Sequence, residues 1–185
     1  MKNLEEFGIK APKVLLPKKI DTEKWAVIAC DQYTQNKEYW NQVEKNCKDE
    51  PSTLNLILPE VYLNDSDKKQ RIGKIQETMR NYLKDGIFSE EKEEMIYIER
   101  KTSFGRTRHG LLAAINLDDY EWKPFSKSLI RATEATIIER IPPRMEIRKN
   151  AGLELPHIML LVNDPEHILV EQTGDSVKSS GLKPL

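Results

Sequence analysis

The chain has 185 residues and a nearly balanced charge, with 29 Lys and Arg against 30 Asp and Glu and a formal net charge of -1. This length favours one domain, and the balanced charge argues against a dedicated nucleic-acid binder. No apolar stretch approaches the roughly 18 residues of a membrane helix, the first residues lack the apolar region of a secretory signal, and two cysteines are too few for a disulfide scaffold. We therefore expect a cytoplasmic globular protein that contacts no membrane.

Short apolar runs alternate with polar turns in the first third of the chain. Residues 1–20 are typical of an extended surface arm, and residues 25–30 (WAVIAC) predict a buried strand. Asn36 is a suitable N-cap for a helix over residues 37–48, whose apolar side chains recur at spacings of three and four. Residues 54–58 (LNLIL), ended by a proline, predict a second strand.

The clearest helix pattern is an apolar stripe in the middle of the chain. Its members are Ile72, Ile75, Met79, Tyr82 and Leu83. Residues 64–67 supply side chains that can cap this helix, and Gly86 is well placed to end it in a left-handed conformation. Residues 95–100 and 108–117 predict the two strands of a hairpin, with its turn at residues 103–106.

The last third of the chain carries weaker signals. Residues 129–150 fit either a strand or a helix, but a Pro-Pro pair within them excludes an unbroken helix and suits the first turn of a new one. Residues 157–162 (HIMLLV) predict a third buried strand, and the polar residues 171–185 predict a mobile, disordered tail. This irregular alternation predicts an α+β fold over a single domain of residues 1–170, with a mixed sheet, a β-hairpin and flanking helices.

The densest group of charged side chains lies in residues 131–148. It contains Arg131, Glu134, Glu139, Arg140, Arg144, Glu146 and Arg148. Guanidinium groups offer a planar fork of donors that matches phosphate or carboxylate oxygens. If the residues after the prolines form a helix, Arg144 and Arg148 lie one turn apart, and an anion between them would remove their repulsion. Glu134 or Glu139 could act as a base towards a hydroxyl. The alternative is internal pairing of these arginines and glutamates.

Three further places carry candidate site residues. Asp31 follows the predicted strand 25–30, where a carboxylate could hold a metal ion through water or take a proton, and the alternative is that it only forms a turn. Arg108 and His109 lie on the predicted hairpin and could meet an anion. His157 opens the third predicted strand and is a further candidate ligand of a phosphate, although a lone histidine there is usually structural. The three histidines lack the spacing of a zinc site, so no histidine is predicted to bind a metal ion.

The sequence lacks the glycine-rich motifs of P-loop and dinucleotide-binding proteins. Several of its blocks instead resemble an uncharacterised bacterial family, catalogued as domain of unknown function 1015. The blocks are residues 14–17 (VLLP), 24–34 (KWAVIACDQYT), 51–60 (PSTLNLILPE), 108–110 (RHG), 128–134 (SLIRATE), 139–144 (ERIPPR) and 155–161 (LPHIMLL). They follow one another in order across residues 10–170, whereas residues 171–185 do not fit the pattern and are expected to be a tail outside the family.

The resemblance carries expectations about the rest of the protein. Family members are about twice this length, and their later half has an Asp-Gly-(His/Asn)-His motif similar to one in the partition-protein and sulfiredoxin-like fold, which a free serine kinase shares. The Asp-Gly pair of this sequence, Asp85-Gly86, is not followed by histidine. The resemblance therefore implies the N-terminal half of a longer protein, in a family associated with the phosphorylated route to serine.

These observations lead to one main hypothesis. We expect a fragment of a phosphate-handling enzyme, kinase or phosphatase, that acts on a small amino-acid-like substrate with ATP or ADP and Mg²⁺ as the implied cofactor. Arg131, Arg140 and Arg144 would hold the phosphate. Glu134 or Glu139 would act as a base or magnesium ligand, with Asp31 as a further carboxylate.

Two other hypotheses remain open. The first is a non-catalytic binding or regulatory module whose arginines dock the missing C-terminal half, another protein or a second copy in a homo-oligomer. An exposed apolar patch would favour this hypothesis. The second is a nucleic-acid binder, which the net charge disfavours. In the main hypothesis the partner is a small anionic metabolite.

Overall fold

The computed structural model describes residues 4–18, 20–90, 92–121, 123–132, 137–155 and 157–183. The chain divides into two compact units, whereas the sequence predicted one domain over residues 1–170. We call Leu15–Glu90 with Ala135–Ile158 the core unit. The remaining three segments form the sheet unit, and they are Met1–Val14, Glu91–Glu134 and Met159–Leu185.

The described residues form helices and short strands, which confirms the predicted α+β class. The α-helices are α1 (Thr22–Trp25), α2 (Lys37–Asn46), α3 (Lys68–Lys84), α4 (Ile141–Arg148) and α5 (Glu171–Ser179). The strands are β1 (Ile9–Lys10), β2 (Lys13–Val14), β3 (Lys92–Glu93), β4 (Ile96–Lys101), β5 (Thr107–Leu112), β6 (Ala114–Ile115), β7 (Tyr120–Glu121) and β8 (Ile130–Arg131). Within the described part of the chain, no helix is long and apolar enough to cross a membrane.

The core unit is built around one cluster of buried side chains. Its members are Trp40, Cys47, Leu54, Leu56, Leu58, Tyr62, Ile72, Ile75 and Met79. Helices α2 and α3 contribute residues to this cluster because their apolar residues recur at helical spacing and share one face. The Trp40 indole, which is fully buried, donates from Nε1 to the carbonyl of Gln32 at 3.3 Å. The hydrophobic core therefore fixes α2 and α3 as the frame of this unit.

The two helices predicted from local patterns are confirmed. The side chain of Asn36 accepts a hydrogen bond from the Tyr39 amide at 2.9 Å and caps α2 as expected. Gly86 follows α3 with φ of 70°, which is the left-handed conformation predicted for it. Asp67 precedes α3 but accepts from Arg71 Nε at 2.9 Å instead of capping the backbone.

The two strands predicted at residues 25–30 and 54–58 are wrong. The first segment begins with the last residue of α1 and continues over residues 26–29 without regular structure, and the second begins inside a 3₁₀ helix, Thr53–Leu56. A side-chain hydroxyl takes the place of a neighbouring strand as hydrogen-bond donor to this backbone, since Thr53 Oγ1 donates to the carbonyl of Trp25 at 2.7 Å. Both segments nevertheless pack on or within the hydrophobic core, so their apolar character reflects burial without strand pairing.

The sheet unit contains four two-stranded sheets. The predicted hairpin is confirmed as β4 and β5, with Gly105 at φ of 75° in the turn. The pairs β1–β6 and β2–β3 are antiparallel, and β7–β8 is parallel. Strand pairing that bridges distant segments therefore holds this unit together, because the buried hydrophobic cluster lies in the core unit.

The segment expected to be a disordered tail contains helix α5. Three hydroxyl groups in this helix donate to carbonyls four residues earlier, including Thr173 to Leu169. The helix contacts the hairpin, where Gly174 packs against the ring of Tyr97 and a side chain at this position would clash. Lys178 also reaches Glu99 at 3.1 Å. The structure thus differs from the expected disorder over these residues.

The third predicted strand, at residues 157–162, is also wrong. These residues have no regular secondary structure, and no described strand pairs with them. Their side chains are exposed, including Met159 at 80% and Leu161 at 85%. The pattern is typical of a buried strand, but within the described part of the chain the neighbouring strand that burial requires does not exist.

The position of α3 in the core yields a test of the fold. Ile75→Ala should lower the free energy of unfolding by about 2–4 kcal/mol, because it leaves a cavity at a buried position. Leu83→Ala, on the same helix but 41% exposed, is the matched control and should cost less than half as much. Urea unfolding followed by tryptophan fluorescence measures both, since Trp25 and Trp40 lie in the core unit. Equal losses would contradict the assigned burial.

Candidate functional site

One nearly buried carboxylate joins two of the predicted arginines in the core unit. Glu60 has a side chain that is 8% exposed, and its Oε1 lies 2.9 Å from Arg144 Nη2. Its Oε2 lies 3.7 Å from Arg140 Nη2, at the edge of ion-pair distance. Both arginine side chains remain about half exposed, at 45% and 49%. The group therefore consists of one nearly buried carboxylate and two arginine side chains that are partly exposed to solvent.

The hydrophobic core positions Glu60. Leu58 and Tyr62, on either side of it, are both buried, and a 3₁₀ helix spans Glu60–Tyr62. The amide of Glu60 donates to the carbonyl of Cys30 at 2.8 Å, which places the 25–30 segment beside the carboxylate. Because its neighbours on both sides are anchored, the carboxylate has little freedom to leave the arginines.

Helix α4 positions the two arginines. The Pro-Pro pair predicted to open a helix lies in its first turn. Backbone N–H groups there have no partner within the helix, so the missing N–H of proline costs no hydrogen bond. At its other end, Gln76 of α3 donates from Nε2 to the carbonyls of Glu146 and Ile147 at 2.9 and 3.1 Å. Ile147 itself packs against the core. Arg140 precedes the helix and Arg144 follows one turn later, so both face Glu60.

The pairing differs from the one expected on the helix. The sequence suggested that Arg144 and Arg148 would meet over one anion, but Arg148 pairs with Glu154 at 2.8 Å. The arginines that share a carboxylate are instead Arg140 and Arg144, also four residues apart. Two guanidinium charges and one carboxylate charge leave this group with a net charge of +1. Each guanidinium has five N–H donors, so most donors of the pair are not used by Glu60.

Cys30 and Asp31 border this group. Burial raises the pKa of the Cys30 thiol above its usual value, and the carboxylates of Asp31 and Glu60 act in the same direction. The guanidinium of Arg144 acts in the opposite direction and lowers that pKa. Asp31 is exposed and accepts a weak hydrogen bond from Gln32 Nε2 at 3.4 Å. The pKa of the Cys30 thiol therefore depends on the charge of Arg144 and of the carboxylates near it.

Two other predicted residues of this region lie outside the ion-pair group. Glu139 is exposed in the 3₁₀ helix Ile138–Arg140, next to Arg140 in sequence. His157 is exposed, and within the described part of the chain it makes no hydrogen bond. Glu134 lies outside the described residues. The carboxylate that the two arginines contact is therefore Glu60 and not Glu139.

The remaining predicted residues lie in the sheet unit. Arg131, on β8, is exposed and donates from Nε to the carbonyl of Ser128 at 2.9 Å. Arg108, on β5, stands directly opposite Arg100 of β4, where two like charges repel. His109 Nδ1 lies 2.5 Å from the hydroxyl of Tyr97. These three residues are distributed over two sheets, and within this unit they form no common group.

Sequence reasoning missed the central residue of the site, Glu60. It is 84 positions from Arg144, so no helix or strand spacing connects them. One signal was present, since Glu60 is an acidic residue directly after a strongly apolar run that ends in proline. An acid so close to the core needs a cationic partner. Among the described residues, no three His, Cys, Asp or Glu side chains are grouped to hold a metal ion.

The charge arrangement around Cys30 can be measured. Arg144→Ala removes the positive charge that lowers the pKa of this thiol, so the pKa should rise further and the thiolate fraction at mildly alkaline pH should fall. We expect alkylation of Cys30 by iodoacetamide to slow by roughly twofold or more. Peptide mass spectrometry separates Cys30 from the buried Cys47. Arg148→Ala, on the same helix, should leave the rate unchanged, and an equal effect of both variants would refute the arrangement.

Comparison with known proteins places the chain in a family. A family model described as "Protein of unknown function (DUF1015)" matches residues 13–184, which include helix α5 and the whole ion-pair group. No curated protein and no solved structure matches the sequence. Because the family model covers most of the chain, this protein belongs to the DUF1015 family.

Proposed function

We propose that the chain is part of a phosphate-handling enzyme, kinase or phosphatase, that acts on a small amino-acid-like substrate. The observation that supports this is that two half-exposed arginine side chains pair with one nearly buried carboxylate. The substrate class comes from the association of the resembled family with serine metabolism. ATP or ADP with Mg²⁺ is the cofactor that a kinase of this kind would need.

The arginine pair has the properties of an anion site. Glu60 holds both groups on one side, so their side chains are partly ordered before a ligand arrives. The net charge of +1 attracts an anion, and the donors that face solvent can bind phosphate oxygens. An isolated structural ion pair would need one arginine for one carboxylate, whereas here a second guanidinium is available.

Acid–base chemistry would come from carboxylates beside this pair. Asp31 adjoins Cys30, whose carbonyl accepts from the amide of Glu60, so its carboxylate lies near the proposed anion. Glu139 precedes Arg140 directly. A carboxylate near a bound phosphate can accept the proton of an attacking hydroxyl. We assign this role to Asp31 or Glu139, and anion binding to Arg140 and Arg144.

One observation favours the second hypothesis, a binding or regulatory module. The exposed apolar residues 158–162 form a patch of the kind that marks protein interfaces. This hypothesis does not require an anion at the arginine pair. Ligand binding at that pair therefore distinguishes the two.

The first test is ligand-induced stabilisation. Inorganic phosphate and O-phosphoserine should raise the Tm of the parent protein, because a ligand that binds only the folded state stabilises it. At a ligand concentration of one hundred times the Kd, the free energy of unfolding should rise by about 2.7 kcal/mol. Arg140→Ala and Arg144→Ala should each remove most of this rise, because each loses one of the two guanidinium groups that bind the anion. Thermal shift and isothermal titration calorimetry measure the effect. Serine tests whether the phosphate group is required.

Arg148→Ala is the matched control for this test. Arg148 lies on the same helix, is exposed to a similar degree and also has an ion pair, so its loss changes net charge and basal stability in the same way. It should retain the ligand-induced rise. If Arg140→Ala and Arg144→Ala bind phosphate and phosphoserine as well as the parent does, the assignment is wrong.

Replacement of Glu60 separates anion binding from simple ion pairing. Glu60→Gln keeps the shape of the side chain but raises the net charge of the group from +1 to +2. The free protein should lose roughly 1–2 kcal/mol of stability, since the two pairs are half exposed. Phosphate should bind several-fold more tightly, which calorimetry measures. A loss of stability without any phosphate binding would show a purely structural cluster.

A further inference from the structure

The two faces of the β4–β5 hairpin differ in what lies against them. Successive side chains of a strand point to opposite faces, so Tyr97 and Glu99 of β4 share one face. Helix α5 contacts that face, since Tyr97 packs against Gly174. The charge of Glu99 is matched there by Lys178, at 3.1 Å. The opposite face, which carries the side chains of residues 98 and 100, is called here the open face.

The open face contains two neighbouring cross-strand pairs. Arg100 stands directly opposite Arg108, and Ile98 stands directly opposite Gly110. Both arginines are exposed, and Ile98 is 44% exposed. Two like charges directly opposite each other repel, and an anion bound by both guanidinium groups would remove this repulsion. The face therefore combines a place for an anion with an exposed apolar side chain beside it.

The cations of the hairpin lack acidic partners. None of the four forms an ion pair or a side-chain hydrogen bond with another described residue, and they are Arg100, Lys101, Arg106 and Arg108. With one carboxylate, that of Glu99, residues 96–112 carry a net charge of +3, and the rest of the chain carries -4. The nearly neutral net charge is therefore an average over a positive hairpin and a negative remainder, and it does not describe this surface.

Gly110 lies at a position where the fold does not require a glycine. Its φ is not in the left-handed region, and an added Cβ would meet no atom within 4 Å. The pairing of β4 with β5 is continuous, so no bulge explains this residue. A glycine inside a strand weakens the strand, and it often marks a place where a ligand approaches the backbone closely. The space over Gly110 is therefore a second, independent sign of a ligand on the open face.

The tip of the hairpin adds an aromatic ring. Phe104 is 91% exposed and lies between Lys101 and Arg106 in sequence. Proteins that bind single-stranded nucleic acid combine cations that contact the phosphates with side chains on which bases stack. An acidic peptide would match the charge of the hairpin, but it would not require a free space beside the anion. A nucleotide strand matches both, because each phosphate is followed by a flat base.

We propose that the open face of the β4–β5 hairpin binds single-stranded nucleic acid. One phosphate of the strand contacts Arg100 and Arg108, and the adjoining base lies over Gly110 against Ile98. The other cations of the hairpin attract the neighbouring phosphates, and the ring at the tip stacks on a further base. This proposal does not rest on the anion site of the core unit.

The first test measures binding of the full chain to a fluorescently labelled oligothymidine of about 12 nucleotides by fluorescence anisotropy. Arg100→Gln combined with Arg108→Gln should weaken binding at low salt by about tenfold or more. The slope of log Kobs against log salt concentration should change from about -3 to about -1.5, since two of four cations are lost. Lys74→Gln combined with Arg80→Gln removes the same charge from exposed positions of α3 and should change neither quantity.

The second test fills the space over Gly110. Gly110→Val should leave the Tm unchanged or higher, because the new Cβ meets open space and valine favours strands. The same side chain would occupy the place of the proposed base, so binding of the oligothymidine should weaken several-fold. Gly110→Ala intrudes less and should weaken binding less, again without a fall in Tm.

Each outcome decides the proposal. Loss of binding in the double arginine variant and in Gly110→Val, with binding retained in the α3 control, supports it. Absence of binding at low salt, an equal loss in the α3 control, or normal binding by Gly110→Val overturns it. A fall in Tm for both Gly110 variants would show a structural glycine and would also overturn it. If polyglutamate at equal charge concentration displaces the oligothymidine as well as unlabelled oligothymidine does, the surface binds any polyanion and the assignment to nucleic acid is wrong.

Discussion

The structure of the core unit depends on keeping the Glu60 carboxylate, which is 8% exposed, paired with cations. A carboxylate removed from water is costly unless it is paired and hydrogen-bonded. Arg144 supplies a close pair and Arg140 a longer one, and both are brought there by helix α4. The ion pairs thus link two segments that are distant in sequence. The same arrangement leaves guanidinium donors at the surface, so the link and the proposed anion site have one physical origin.

Elements that rest on local interactions were predictable from sequence. Helix α3 follows from its apolar stripe, α2 from its spacing and the Asn36 cap, and the β4–β5 hairpin from two apolar runs around a glycine turn. The failures are runs whose strand state needed a neighbour. Within residues 25–30, the carbonyl of Trp25 accepts from the Thr53 hydroxyl and that of Cys30 from the Glu60 amide, and residues 54–58 begin within a 3₁₀ helix. Apolar run length indicates burial, whereas strand pairing depends on distant segments.

The candidate site was predictable in part for the same reason. The spacing of Arg140 and Arg144 is a local property of the sequence, and the Pro-Pro pair between them predicts the start of the helix. Their choice of partner is not local, because Glu60 lies 84 positions from Arg144. Arg131 could not be separated from the other arginines by spacing, yet it belongs to a strand in the sheet unit. A cluster in sequence is therefore a weaker guide to a site than a buried charge that requires partners.

The three incorrectly predicted strands differ in how far their apolar side chains are buried within the chain. Trp25, Val27 and Ile28 pack against the core. The side chains of residues 54–58 lie largely within it, so the burial indicated by composition is found inside one chain. Residues 158–162 have the same composition but are exposed and unpaired among the described residues. Apolar composition therefore indicates burial only where another segment of the described chain is placed to supply it.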